Sequence, residues 1–183
     1  LALIDLSTGT FIVEKILTLE RLKESLMRAG PVECLIPSGM GDRLDLKSVL
    51  EGCVGMHVSE AEAWTFEYDV ARDFLLRHFN VHSLEGFGCD GNIVVVGVAG
   101  GALYHLKESL HHIVTHITRM RIQKTERFLV LDDLTCKNLD LIPSRIRDNG
   151  FSLLKVIDTT RTAMGGRKFK DWLLQPLCDL DAI

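Results

Sequence analysis

Residues 1–36 read LALIDLSTGTFIVEKILTLERLKESLMRAGPVECLI, and this stretch decides the fold class. Residues 1–6 and 9–16 are both rich in Leu, Ile, Val and Phe, which favour β-strands. A short Ser7-Thr8-Gly9 connection separates the two runs, and Gly9 is able to take the positive φ that a tight turn needs. The chain therefore begins with a predicted β-hairpin.

The second half of this stretch predicts a helix followed by a strand. Between residues 18 and 29 the apolar side chains of Leu19, Leu22, Leu26 and Met27 recur at helical spacing. The dipeptide at residues 30–31, Gly-Pro, is a typical helix stop. The apolar residues 32–36 then follow directly as a strand.

The next 40 residues repeat the same two kinds of element. A loop surrounds residues 37–42, and residues 53–58 form a second short apolar run that predicts a strand. Residues 64–79 carry apolar side chains at helical spacing and predict a helix. Strands that alternate with helices in this way predict a mixed α/β layer fold.

Residues 92–110 leave two structures open. Their VVVGV segment favours a strand, because β-branched residues are restricted in helices. The length of the segment and the later Leu103, Leu106 and Leu110 spacing favour a helix. Periodicity alone does not decide between them.

Beyond residue 110 the sequence predicts helices only. Residues 134–142, 152–157 and 163–174 each have a plausible helix cap at their start, namely Asp133, Phe151-Ser152 and Thr162. We therefore expect a boundary between 105 and 130, with an α/β domain over residues 1–115 and the start of a helical domain over residues 116–183.

The composition is that of a folded globular chain. Of its 183 residues 46% are hydrophobic, which is enough to bury a core. The longest apolar run, residues 93–104, is shorter than the roughly 20 residues that cross a bilayer, and no signal-peptide pattern is present, so we expect an intracellular protein. Five cysteines without a C-x-x-C pair indicate neither a disulfide framework nor a zinc site.

The formal charge of −4 is unevenly distributed. From Arg119 onward there are 12 Lys and Arg against 9 Asp and Glu, which leaves 9 against 16 before it. The two parts thus carry +3 and −7. The excess of three positive charges in the second part is far weaker than the continuous basic surface that nucleic-acid binding domains carry.

The string at residues 86–91, GFGCDG, matches the G-x-G-x-x-G pattern of dinucleotide-binding loops. Such a loop follows a firm strand in a true cofactor site, whereas only residues 81–84 precede it here, and polar residues interrupt them. We interpret it as a glycine-rich loop, with a dinucleotide-binding module as an alternative.

Asp5 is the candidate catalytic carboxylate. A metal-dependent nuclease with a ribonuclease H-like fold would hold a metal-binding acid on its first strand, but two-metal catalysis needs several converging acids. The other acids show no metal-ligand spacing; they include Glu14, Glu60, Glu62, Glu67, Asp69 and Asp73. A turn-forming, hydrogen-bonded role for Asp5 ahead of residues 7–9 is the favoured interpretation.

Histidines cluster between residues 105 and 116. His112 and His116 are four residues apart and would share a helix face, with His105 and His111 nearby, a spacing that could hold a metal. No H-E-x-x-H pattern accompanies them, so hydrogen-bonded or surface imidazoles are the favoured interpretation. The sequence also has no G-x-x-x-x-G-K-[ST] loop for ATP.

Two blocks resemble the MutS family of DNA mismatch repair proteins. The opening LALIDLSTGTF is similar to the D-x-S-T-G-x-F start of the family's connector domain, and residues 31–37 are similar to its P-x-E-x-x-x-P segment. Residues 74–88 and 98–106 also resemble the end of that domain. The resemblance thus covers nearly the whole chain.

The later block is the more specific one. RFLVLDDLTCKNLDL (127–141) and GFSLLKVIDTTRTAMGGRKFKDWLLQPLCDLDAI (150–183) resemble the entry into the family's core domain. The matching positions are Asp132, Thr135, Asn138, Leu139, Leu141, Asp158, Thr160, Thr162, Met164, Gly165, Arg167, Trp172, Leu173, Pro176 and Leu177. Asp140, Cys136 and Lys168 depart from the family pattern.

This second motif also has a physical interpretation without catalysis. Thr162 would cap a helix that buries Met164, Phe169, Trp172 and Leu173. Gly165 would permit close approach of a neighbouring helix, and Pro176 would end the run.

The resemblance implies an internal fragment of a MutS-type protein. It implies an α/β, ribonuclease H-like connector with a mixed sheet and flanking helices, followed by the start of an all-α core. It implies a helix over residues 92–110, with the glycine loop as its lead-in. It implies no catalytic, cofactor or metal residue in this chain.

The implied function is mechanical. The connector would relay ATP state between mismatch-binding and ATPase domains and dock MutL, through residues that the sequence does not identify. The parent protein would be a cytoplasmic homodimer that binds mismatched double-stranded DNA, with ATP and Mg²⁺ outside these residues. The segment 105–130 is the candidate hinge. The alternative function is a metal-dependent nuclease that uses Asp5.

Overall fold

The computed structural model describes residues 1–53, 55–109, 111, 114–123, 128–129, 131, 133–143 and 151–178, with Leu44, Ser109 and Asp133 described by their backbone only. The chain divides into two compact units, Leu1–Gln123 (unit 1) and Lys124–Ile183 (unit 2). Within the described residues, none of the helices has both the length and the apolar character that crossing a membrane requires.

Unit 1 begins with the predicted hairpin. Strands β1 (Ala2–Asp5) and β2 (Thr10–Glu14) pair antiparallel, with Ala2 opposite Val13. In the turn, Gly9 has a φ of +68°, and a Cβ there would lie 2.9 Å from the carbonyl oxygen of His116. Both the backbone angle and the close approach therefore require glycine.

A third strand joins this sheet from a part of the chain that the sequence analysis assigned to helices alone. Strand β5 (Arg121–Gln123) pairs parallel to β2, with Val13 opposite Ile122, in the order β1-β2-β5. The prediction of helices only beyond residue 110 was wrong here, because three residues that alternate polar and apolar carry no local strand signal.

The second layer of unit 1 follows the predicted order with two corrections. Helix α1 (Leu19–Ala29) begins at the cap Thr18, which accepts a hydrogen bond from the Arg21 N–H at 3.3 Å, and ends at Gly30 with a φ of +57°. Strands β3 (Glu33–Pro37) and β4 (His57–Ala61) pair parallel. The unpredicted helix α2 (Leu44–Glu51) connects them.

The strand predicted at residues 53–58 was placed too early. Gly55 has a φ of +85°, which is outside the extended region, so the strand begins only at His57. Cys53 packs instead against the apolar cluster of this layer, whose buried members are Leu26, Ile36, Val49 and Leu50. Val54 lies outside the described residues.

The main core of unit 1 forms around two helices. A 3-10 helix (Ala63–Phe66) precedes α3 (Tyr68–Phe79), and α4 (Ile93–Tyr104) packs against both. Asn92 caps α4, since its side-chain oxygen accepts from the Val95 N–H at 3.3 Å. The helix that the family resemblance implied is thus confirmed over Ile93–Tyr104, and a short π-helical turn (His105–Ser109) follows it.

Glycines allow α4 to approach its neighbours closely. A Cβ on Gly97 would lie 2.4 Å from the carbonyl oxygen of Phe66, and one on Gly101 would lie 2.4 Å from the Phe66 ring. A Cβ on Gly100 would lie 2.4 Å from the Cβ of Ala71. Val96, Ala99 and Leu103 are fully buried in the resulting core.

The described residues of unit 2 form helices α5 (Asp133–Asn138), α6 (Leu153–Ile157) and α7 (Ala163–Leu174). Two predicted caps are confirmed, since Ser152 accepts from the Lys155 N–H at 3.2 Å and Thr162 from the Gly165 N–H at 3.0 Å. The predicted cap Asp133 is the first residue of α5, and its side chain lies outside the described residues.

The predicted buried face of α7 was wrong for two of its members. Met164 is 60% exposed and Trp172 is 64% exposed, while Leu174 packs with Cys136 and Leu141 in the small core of unit 2. A Cβ on Gly165 would meet Thr162 Oγ1 at 3.1 Å, so this glycine serves the turn before the helix rather than a helix contact.

The mixed α/β class is confirmed for unit 1. Its described strands form a three-stranded and a two-stranded sheet. The ribonuclease H-like topology and the division between residues 115 and 116 stay predictions. In this structure residues 116–123 belong to unit 1, because β5 pairs with β2.

The glycine contacts of α4 predict the effect of adding one methyl group. Gly100→Ala forces a side chain against both backbone and side chain of Ala71, and overpacking of this kind costs about 1–3 kcal/mol. Alanine regains up to ~1 kcal/mol of helix propensity. We expect a net fall of about 1–2 kcal/mol in the free energy of unfolding, measured by urea denaturation with circular dichroism.

Gly86→Ala is the matched control, because a Cβ at Gly86 meets nothing within 4 Å. It should change the free energy of unfolding by less than about 0.5 kcal/mol. Equal effects of the two substitutions would contradict the close packing of α3 and α4.

Candidate functional site

Asp5 ends β1 and organises the hairpin turn. Its Oδ1 accepts hydrogen bonds from the Ser7 N–H at 2.8 Å and from the Ser7 hydroxyl at 2.6 Å. The turn-forming role of Asp5 is confirmed. Among the described residues, no group of three or more His, Cys, Asp or Glu side chains could hold a metal ion. The nuclease alternative therefore receives no support from the geometry.

The glycine-rich loop at residues 86–91 leads into α4, as expected. It contains a 3-10 turn (Glu85–Phe87), and Gly88 and Gly91 both have positive φ. The loop is fastened to α3, because the Gly91 N–H donates to the Tyr68 hydroxyl at 3.3 Å and Arg72 lies 3.7 Å from Asp90. Residues 81–84, which precede it, do not form a strand. The arrangement lacks the strand that a dinucleotide site needs.

The described histidines make separate contacts. His116 donates from Nε2 to the Leu6 carbonyl oxygen at 2.8 Å and so touches the turn that Asp5 organises. His78 Nε2 lies 2.9 Å from the Ile117 carbonyl oxygen. His116 lies in a turn rather than on a helix. His112 lies outside the described residues, so the predicted His112–His116 spacing has no structural outcome.

An open cavity of about 190 Å³ lies where β4, the 3-10 helix Ala63–Phe66 and the end of α4 meet. Trp64 and Tyr104 form its aromatic wall, with ring centroids 5.4 Å apart and planes at 74°. The Phe74 ring also packs against Tyr104, with the two ring centroids 5.1 Å apart. The two rings are 40 positions apart in the sequence, so no local sequence pattern predicts this cavity. The cavity lining comprises Glu60, Ala61, Glu62, Trp64, Thr65, Tyr104 and His105.

Negative charge surrounds the cavity. Glu60 and Glu62 are exposed in its lining, and no ion pair to a lysine or arginine is made by either within the described part of the chain. His105 Nε2 lies 3.8 Å from Glu33 Oε1, which also accepts from the Ser59 hydroxyl. One signal in the sequence pointed here: residues 48–71 contain five acids and no Lys or Arg.

The 3-10 helix that carries Trp64 is locally fixed. Thr65 is buried, and its hydroxyl donates to the Glu62 carbonyl oxygen at 2.7 Å. The Thr65 and Glu67 N–H groups donate to the carbonyl oxygens of Glu62 and Trp64 at 3.0 and 3.1 Å. The cavity wall is therefore held by short-range hydrogen bonds as well as by the contacts of Phe66 with α4.

The cysteines of unit 1 are shielded rather than activated. Burial raises the pKa of the Cys34 thiol, and the neighbouring Cys53 and Glu33 raise it further. Burial also raises the pKa of Cys53 and of Cys89. A raised pKa lowers the thiolate fraction at neutral pH, so these groups are poor nucleophiles.

Two protein families match this chain, one over most of unit 1 and one within unit 2. The family described as MutS domain II matches residues 1–118, and the family described as MutS domain III matches residues 134–183. DNA mismatch repair protein MutS of Salinibacter ruber is 35% identical over 182 residues, which are 98% of this chain and 20% of that protein.

Two further relatives carry the same name. The MutS protein of Nostoc punctiforme is 38% identical over 196 residues, and that of Myxococcus xanthus is 37% identical over 185 residues. Both alignments cover 100% of this chain and 22% and 21% of the relatives. The chain thus spans about a fifth of the length of the relatives it matches.

The cysteine environments predict an ordered labelling reaction. Cys178 is exposed and should react first with iodoacetamide, while Cys34 should react slowly at pH 7.5. Because the pKa of Cys34 is raised, its rate should keep increasing as the pH passes the ordinary thiol range near ~8.5. Peptide mass spectrometry measures both rates.

Unfolding in urea serves as the internal control for this reaction, since it removes the burial and should bring the two rates together. Rapid labelling of Cys34 at neutral pH in the folded chain would contradict the shielded environment.

Proposed function

This chain belongs to the MutS family of DNA mismatch repair proteins, and on that basis we propose that residues 1–183 act as a mechanical connector within a longer protein. The observation that carries the proposal is the consecutive match to domains II and III over a chain that spans about a fifth of its relatives. The chain would transmit force and present a surface, and it would perform no catalysis of its own.

The remaining parts of the proposal concern the intact protein. It would bind mismatched double-stranded DNA as a homodimer in the cytoplasm. It would bind and hydrolyse ATP with Mg²⁺ through residues outside this chain. Unit 1 would have a ribonuclease H-like fold, an assignment supported by its antiparallel hairpin followed by the parallel β3-α2-β4 unit.

The relay part of the proposal is supported by the construction of unit 1. A relay needs elements that move as rigid bodies, because interfaces and packed cores switch between discrete arrangements. The α3–α4 pair meets this requirement, since the two helices pack so closely that a Cβ on Gly100 of α4 would lie 2.4 Å from the Cβ of Ala71 in α3. We propose that unit 1 moves as one body when nucleotide state changes. Of the predicted hinge segment 105–130, only residues 124–130 lie beyond unit 1, and the hinge would lie there. Residues 110, 112, 113, 124–127 and 130 of that segment lie outside the described residues.

A flexible insertion tests the relay in the intact protein. Four Gly-Ser residues inserted after Gln123, at the junction of the two units, should reduce the effect of ATP on mismatched-DNA release by about fivefold or more, the lower end of allosteric coupling factors. DNA affinity without nucleotide should stay the same. Stopped-flow DNA release with and without ATP provides the measurement.

The same insertion after Gly39 is the control for the relay experiment, because Gly39 lies in an exposed turn after β3. It should leave the coupling intact. Full coupling in both insertion variants would rule out a relay through this junction.

Docking of MutL is tested by titration of this chain with purified MutL at physiological salt, with mismatched duplex DNA as the parallel ligand. We expect saturable binding to MutL and negligible binding to DNA, because the first 118 residues carry a negative net charge. Tight, salt-sensitive DNA binding without MutL binding would overturn the docking proposal.

A further inference from the structure

The cavity between β4, the 3-10 helix Ala63–Phe66 and the end of α4 has the chemistry of a cation site. Its wall consists of the Trp64 and Tyr104 rings in an edge-to-face arrangement, so two ring faces lie roughly at right angles. Trp64 is 45% exposed although it belongs to a packed layer. Exposed tryptophan and tyrosine faces attract positively charged groups through the ring quadrupole.

The same part of unit 1 already holds one cation over a ring. Lys107 Nζ lies 5.3 Å from the centroid of Phe74, whose ring contacts Tyr104. This contact lies on the Phe74 ring, and neither Lys107 nor Phe74 belongs to the cavity lining. The local geometry is therefore compatible with ammonium or guanidinium groups against aromatic faces.

Two carboxylates supply the charge that a cation needs. Glu60 and Glu62 line the cavity, and none of the described lysines and arginines forms an ion pair with them. The chain from residue 48 to residue 71 holds five acids and no lysine or arginine, so the sequence that forms most of the rim is acidic. A carboxylate also accepts two parallel hydrogen bonds from a guanidinium group.

The size of the cavity favours a small occupant. At about 190 Å³ it is smaller than the roughly 300–1,000 Å³ of ordinary ligand sites, so it suits a single side chain better than a whole nucleotide. The carboxylates repel phosphate, which excludes the DNA backbone as the occupant. The long, cationic side chain of a protein segment matches the volume, the rings and the charge together.

We propose that this cavity binds a basic side chain, arginine in preference to lysine, of a partner protein segment. The guanidinium group would lie against Trp64 and Tyr104 and donate to Glu62 or Glu60. Arginine is preferred because its planar group stacks on aromatic rings and pairs with carboxylates in a fixed geometry. The inference concerns local recognition and does not depend on the relay.

The test uses the whole chain and a small probe. N-acetyl-arginine amide is titrated into ¹⁵N-labelled protein, and two-dimensional NMR follows the Trp64 indole N–H and the Thr65 amide. We expect saturable shifts confined to the cavity, with a dissociation constant on the order of 1–10 mM for a single side chain. The lysine analogue should bind more weakly, and the neutral citrulline analogue at least tenfold more weakly.

Glu62→Gln is the decisive variant, because it removes one charge and keeps the shape. It should weaken arginine binding by about fivefold or more. Glu85→Gln is the matched control, since Glu85 is an exposed acid in the other 3-10 helix of unit 1 and does not line the cavity. Unchanged spectra elsewhere show that each variant is folded.

Three outcomes would overturn the proposal: shifts spread over the whole chain, equal binding of arginine and citrulline, or equal effects of the two glutamate variants. Binding of inorganic phosphate at Trp64 would also overturn it. Because the probe is a small molecule, this result is independent of the MutL titration.

Discussion

The close approach of α4 to α3 and to the 3-10 helix Ala63–Phe66 is the constraint on which the main core of unit 1 depends. Gly97, Gly100 and Gly101 occupy the contact positions, and a Cβ on any of them would lie 2.4 Å from another atom. This approach buries Val96, Ala99 and Leu103 completely. The same approach holds Phe66 against α4. Trp64 lies two residues before Phe66 in the same 3-10 helix, so its position is fixed as well. The aromatic wall of the cavity is therefore a consequence of helix packing.

Local signals in the sequence were sufficient for α1 and α7. The helix after Thr18 and the helix after Thr162 both begin at the predicted residue, because a threonine hydroxyl satisfies an N–H group three residues later. Helix α4 is different, since its valines favour a strand and its identity depends on glycine contacts with distant residues. Strand β5 likewise exists only through its pairing with β2.

The candidate sites also differ in whether they depend on local or on long-range contacts. The role of Asp5 was predictable, because its hydrogen bonds reach only two residues along the chain. The cavity was not predictable, because Trp64 and Tyr104 meet only after α4 packs. The exposure of Trp172 was not predictable either, since helical periodicity indicates an apolar face and not what covers it.

The cavity also bears on how unit 1 could respond to a bound partner. Its lining comes from β4 on one side and from the end of α4 on the other, and the Glu33–His105 pair joins the same two layers. A cation held between Glu62 and Tyr104 would add a second contact between the end of β4 and the end of α4. A ligand shifts an equilibrium only by the difference of its affinities for the two states. A side chain bound here would therefore favour the arrangement in which β4 and the end of α4 keep this spacing.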